Sequence, residues 1–284
     1  MIARVAHRHV DVDGVRVFYR ESLPDRPDAP VLLLLHGSPS ASHQFRRLVD
    51  ALGSRYRLVA PDHPGSGHTE VPDGFTYSFD RLADVVEGFV DRLGLTRFAL
   101  YLFDFGAPVG FRLALRRPGR VAGLVVQNGN AYAEGLSDAA RDFIAVTPDR
   151  EQTVLDLFTL EATRGQYEGG TADPALLAPE GWLLDQLFLD RPGRREAQLA
   201  PAYDYRRNVE AYPDWQAWLR EHRPPTLIAW GVHDPFFTEA GARAYLRDVP
   251  DAALHLLDAG HFALEDQLPV IAPLVADFLD RTAA

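Results

Sequence analysis

Apolar and polar positions along the chain alternate between two periods. Two short segments near 7–12 and 15–20, with period-two alternation and Asp13-Gly14 between them, predict an opening hairpin. The apolar runs VLLLL (31–35) and YRLVA (56–60) then read as strands covered on both faces. Between 78 and 93 the spacing turns helical, with Leu82, Val85, Val86, Phe89, Val90 and Leu93 on one face and Ser78 as N-cap. RFALYLF (97–103) is the next strand, GFRLALRRP a helix and VAGLVVQN (121–128) another strand.

There the alternation breaks. From 131 to about 213 no clear apolar strand is found; AARDFIAV, TVLDLFTL and GWLLDQLFL are helix-like pieces separated by Pro- and Gly-rich joints. Strands and helices resume with TLIAWG (226–231), AGARAYLRDV, ALHLLDAG (253–260) and PVIAPLVADFL. The pattern predicts an α/β parallel-sheet domain interrupted by a helical insertion. The core is expected over 1–130 and 214–284, with a helical cap over 131–213.

Composition narrows the partners. A net charge of −11 on 284 residues argues against nucleic acid or an anionic membrane surface. The absence of cysteine excludes disulfides, thiolate metal ligands and a cysteine nucleophile. The start, MIARVAHRHVDVDG, lacks the apolar stretch of a signal peptide, and no run reaches membrane-spanning length, so the expected setting is cytoplasmic.

In such sheets the site forms at the carboxyl ends of the strands. Those ends carry, in order, His36-Gly37-Ser38-Pro39, Asp62, Asp104, Asn128 and Asn130, Asp234 and His261. Each has an ordinary structural explanation by itself: Asp104 as a helix cap, Asp234-Pro235 as a turn, His261 as a hydrogen-bonded core histidine. Together they supply a nucleophile, an acid and a base in one chain order.

Five motifs stand at these ends: HGSPSASHQFR, DHPGSGHTEVP, DFGAPVG, GVHDPF and AGHFALED. With them the chain resembles the α/β-hydrolase superfamily, and within it the epoxide hydrolase/haloalkane dehalogenase group, whose nucleophile is aspartate. The resemblance spans nearly the whole chain. It implies a mostly parallel eight-stranded sheet with helices on both faces and a helical cap after strand 6. It also implies Asp104 as nucleophile, His261 as general base, Asp234 as the acid orienting it, and the backbone N–H groups of Ser38 and Phe105 as oxyanion donors. No metal or organic cofactor is implied; the partners are a small-molecule substrate and water, and the oligomeric state stays open.

Aspartate in the elbow changes the reaction. A carboxylate is ionised at neutral pH and suits displacement at saturated carbon bearing a leaving group. The resulting ester is then hydrolysed by a water that the histidine activates. Dehalogenases of the group hold the halide with a Trp after the nucleophile and a Trp or Asn elsewhere; Phe105 and Ser38 stand there instead. An epoxide needs O–H donors from the cap, for which Tyr205 matches one tyrosine and Tyr167 is the candidate second. His36 and Asn128 are further candidates for contact with substrate or leaving group. The sequence therefore favours an epoxide hydrolase, with a haloalkane or haloacid dehalogenase as the alternative and a non-catalytic small-molecule-binding protein as an alternative of another class.

Overall fold

The computed structural model describes residues 2–282. Val5–Val12 (β1) and Val15–Ser22 (β2) form the expected hairpin, and its turn takes positive φ at both Asp13 (51°) and Gly14 (84°). The chain continues through β3 (Val31–Leu35), α1 (Arg46–Leu52), β4 (Arg57–Pro61), α2 (Phe79–Arg92), β5 (Phe98–Phe103), α3 (Gly106–Arg116) and β6 (Val121–Gln127). Six helices follow: α4 (Asp138–Ile144), α5 (Glu151–Leu155), α6 (Leu160–Glu168), α7 (Glu180–Leu189), α8 (Arg194–Asp204) and α9 (Arg206–His222). The core closes with β7 (Thr226–Gly231), α10 (Glu239–Ala244), β8 (Ala253–Leu257) and α11 (Leu268–Thr282).

The eight strands form one sheet in the order β1-β2-β4-β3-β5-β6-β7-β8. β1–β2 and β2–β4 pair antiparallel, and every later pairing is parallel. This is an α/β-hydrolase fold with its cap inserted after the sixth strand. Unbroken apolar runs such as VLLLL follow from burial on both faces. Leu33 and Leu35 pack with α2 and α3, while Leu32 and Leu34 pack with α1 and α11. Ser78 caps α2 as expected, accepting the Arg81 N–H at 3.2 Å.

The cap has a small core of its own around Val154, Phe158, Leu189 and Leu199. Position 213, where the sequence pattern suggests the cap's end, lies inside α9, which continues through Pro213 to His222. Burial of Tyr212, Trp215, Trp218 and Leu219 carries the helix past the proline, whose ring removes one helical N–H. The cap is also tied to the core by polar contacts. Asp204 Oδ2 accepts the Phe79 N–H at the start of α2 (2.8 Å), and Arg191 and Arg194 donate to the carbonyls of Gly67 and Thr69. No described helix is long and apolar enough to cross a membrane.

Candidate active site

Strand β5 ends at Phe103, and the chain turns sharply into α3 at Asp104, which has φ of 45°. A non-glycine residue pays for that left-handed conformation, and such strain persists where the surroundings enforce it. The enforcement is visible at Gly106. A Cβ there would fall on the Leu35 carbonyl, so only glycine lets α3 pack this closely on β3. The elbow lifts the Asp104 side chain out of the sheet toward the cap.

The two carboxylate oxygens of Asp104 have different surroundings. Oδ1 accepts the Ser38 N–H at 2.8 Å, and the nearby Phe105 amide also favours the ionised carboxylate. Oδ2 lies 3.7 Å from His261 Nε2, beyond direct hydrogen bonding. Oδ1 is thus the amide-bound oxygen, and Oδ2 is the one that faces His261. Burial pushes the Asp104 carboxyl above its ordinary range, opposed by His261 and by the Phe105 and Ser38 amides.

His261 follows β8 and turns Nδ1 to Asp234 Oδ2 at 2.7 Å. With Nδ1 as donor, Nε2 carries the lone pair that faces Asp104. Asp234 is held at every lone pair. Its Oδ1 accepts the N–H groups of Phe236 (2.7 Å) and Phe237 (3.1 Å), and its Oδ2 also accepts Asn128 Nδ2 at 2.7 Å. Burial works against an imidazolium at His261, but Asp234 and its hydrogen bond, with Asp104 behind them, outweigh it and hold the group above its ordinary value.

Above this set lies a cavity of about 560 Å³, counting its mouth. Its walls are Ser38, Pro39, Asp104, Phe105 and His261 from the core, Phe236 and Phe237 after the acid, and Ala140, Phe143, Ile144, Leu157, Phe158, Gln166 and Tyr205 from the cap. Apolar side chains predominate, so the pocket fits a mainly apolar small molecule. The Phe105 ring packs among Phe79, Tyr205 and Phe143 at 5.1–6.4 Å between centroids.

Of the candidate cap tyrosines, Tyr205 lines the cavity. Its hydroxyl is buried without a partner in hydrogen-bonding geometry, although the Tyr212 hydroxyl, which accepts Asn130 Nδ2 at 3.1 Å, stands beside it. Burial, then Tyr212 and Asp104, raise its phenol well above the ordinary value, so it stays a proton donor.

Three candidates sit elsewhere. Tyr167 stacks on Phe262 (3.9 Å, 6°) and donates to Asp185 Oδ2 at 2.6 Å, away from the cavity wall. Asp185 in turn lies 2.8 Å from His43 Nε2, joining cap to core below the surface. His36 spends both ring nitrogens on backbone: Nδ1 donates to the Gly37 carbonyl (2.8 Å) and Nε2 accepts the His63 N–H (2.9 Å). It braces two loops instead of touching a ligand. Asn128 is also turned from the cavity, donating to Asp234 and to the Gly231 carbonyl and accepting the Gly231 N–H.

Gln166 was not among the sequence candidates. On α6 it is one residue, and so about 100° of helical rotation, from Tyr167. Gln198 on α8 was also missed; it bonds the Ser38 hydroxyl across the cap–core boundary.

Fold, elbow and acid–histidine pair define an enzyme of the aspartate-nucleophile type, built to pass through a covalent aspartyl ester. The chain belongs to the α/β-hydrolase family, whose description, alpha/beta hydrolase fold, matches residues 30–167. It is 40% identical over 280 residues to the uncharacterized hydrolase YNR064C of Saccharomyces cerevisiae, covering 96% of each chain. It is 42% identical over 272 residues to haloalkane dehalogenase 2 of Mycobacterium tuberculosis, covering 89% of each. Among solved structures, haloalkane dehalogenase DbeA from Bradyrhizobium elkani superposes with a TM-score of 0.83 at 26% identity, over 98% of this chain and 99% of that one. Two of these relatives are haloalkane dehalogenases, whereas Phe105 and Ser38 at the leaving-group positions favour an epoxide.

Proposed function

We propose that the protein hydrolyses carbon–halogen bonds of small, mainly apolar organohalides through an alkyl ester on Asp104. The observation that carries this reading is a carboxylate nucleophile with one free oxygen, Oδ2, in a chain 42% identical to a haloalkane dehalogenase. In the first step Oδ2 attacks the carbon from behind and the halide leaves with the bonding pair. Water then adds to Asp104 Cγ, giving its proton to His261 Nε2. The negative charge that forms on Oδ1 meets the Ser38 and Phe105 N–H groups. On collapse the Cγ–Oδ2 ester bond breaks, the departing alkoxide takes the proton from His261 and leaves as the alcohol, and Asp104, now carrying the water oxygen, loses the second water proton to solvent and is again a carboxylate. The sum is organohalide plus water giving alcohol plus hydrogen halide.

One observation favours an epoxide as second reading. Phe105 has no side-chain donor, and the Ser38 hydroxyl is already given to Gln198, whereas the Tyr205 O–H is buried at the cavity and unpartnered. Such a donor suits an oxygen that leaves as alkoxide while still attached to the substrate.

His261→Gln separates the readings, because it lets the ester form and blocks its hydrolysis. Intact mass after incubation with a haloalkane rises by the alkyl group less one hydrogen; with an epoxide it rises by the whole substrate. Labelling by haloalkanes alone supports the first reading, and labelling by epoxides alone the second. If neither labels Asp104 while the wild type cleaves acyl esters, the ester mechanism is wrong. If the wild type binds such molecules without turnover, the chain is a binding protein.

A further inference from the structure

One cap side chain touches both core loops that flank the nucleophile. Gln198, buried on α8, accepts the Ser38 hydroxyl at Oε1 (2.9 Å) and donates from Nε2 to the Gly65 carbonyl (3.1 Å) and Ser66 Oγ (3.0 Å). Both amide hydrogens and the carbonyl are thereby used. Among the described residues Ser38 makes two hydrogen bonds: its N–H to Asp104 Oδ1 and its hydroxyl to Gln198. Within the core the same loops are joined by Asp62, which accepts the N–H groups of Ser42 (2.7 Å) and His68 (2.8 Å), and by His36 Nε2, which accepts the His63 N–H (2.9 Å). The Ser38 side chain itself is fastened from the cap.

Resting on the ester mechanism proposed above, we propose that Gln198 is a positioning residue that holds the Ser38 N–H on Asp104 Oδ1 and so governs ester hydrolysis but not ester formation. The two steps move charge in opposite directions. During formation, charge leaves the carboxylate, and the Ser38 N–H interaction weakens toward the transition state. During hydrolysis, a full negative charge grows on Oδ1, and the fixed donor gains strength where it is needed. Loosening Ser38 therefore penalises the second step alone.

The test is rapid quench with intact-mass detection, using a substrate that labels H261Q. In Gln198→Leu, which keeps the volume and removes the polar contacts, ester hydrolysis is expected to slow about 10-fold while ester formation stays within about twofold. The ester then becomes the main species during turnover. Ser38→Ala, which keeps the backbone N–H and disturbs the fold least, is expected to give the same signature, and S38A/Q198L to be no slower than either single variant. Equal slowing of both steps, or wild-type ester hydrolysis in S38A, overturns the role of Gln198. Absence of any label on H261Q overturns the ester reading itself, so the two failures are told apart.

Discussion

Asn128 Nδ2 sits 2.7 Å from Asp234 Oδ2, the same oxygen that receives His261 Nδ1. Asn128 itself has φ of 46°, so its amide is aimed by a left-handed backbone at the end of β6. Asn128→Gly keeps that conformation accessible and removes the donor. Ester hydrolysis is expected to fall about 10-fold, with a loss of about 1–3 kcal/mol in stability from the unpaired buried groups. Single-turnover kinetics and urea denaturation measure the two effects.

The two chemical steps should lose activity in different pH ranges. Ester formation needs ionised Asp104, whose folded pKa lies above 3.8, so its rate falls as pH drops through that raised value. On the same mechanism ester hydrolysis needs neutral His261, whose pKa is held above 6.5, so its rate falls as pH drops through that raised value and is flat on the alkaline side. Once the ester has formed, Asp104 is uncharged and no longer helps to raise His261; Asp234 remains. Rapid-quench rates of ester formation and of ester decay across pH should each show a single acid limb, the first set by Asp104 and the second by His261.

Tyr205→Phe separates the two leaving groups. With an epoxide, loss of the O–H should slow ring opening about 100-fold, while an alkyl bromide should change less than about threefold. Stability should fall by about 1 kcal/mol or less, because the Tyr212 hydroxyl beside it stands outside good hydrogen-bonding geometry. Equal effects on both substrates would remove Tyr205 from the chemistry.

Tyr167→Phe has the opposite profile. It takes the 2.6 Å partner from a fully buried Asp185 and is expected to cost about 1–3 kcal/mol in thermal or urea unfolding. The rate at saturating substrate should stay within about twofold, since the ring touches Phe262 and not the cavity.

The elements that place the site were readable because each leaves a local signature. Unbroken apolar runs marked the inner strands, and the chemistry-bearing residues lie within a few positions of the strand ends, as Asp104 follows Phe103 and Asp234 follows Gly231. The cap was less legible. Neighbours on α6 face different ways, and what turns Tyr167 inward is Phe262, which is 95 positions further along the chain and outside any local pattern. The Gln198–Ser38 bond spans 160 positions for the same reason. Asn128 was read by its place at a strand end, but its direction depends on a single backbone torsion that composition does not reveal. The expected cap end at 213 falls inside α9 because helix breaking by Pro213 is a local cost that burial of Trp215 and Leu219 overrides.

Asp204 is a cap residue that completes the first turn of a core helix, taking the Phe79 N–H that α2 cannot satisfy internally. Swinging the cap away as a rigid door would leave that end of α2 short of an acceptor and would also break the Arg191 and Arg194 contacts. Lifting it is thus a partial unfolding of the core, with a correspondingly rare population. Passage to Asp104 is expected instead by rotation of the half-buried lining residues Phe143, Ile144 and Leu157. The bulk that can squeeze between them becomes a first filter on substrates, applied before any bond is made or broken.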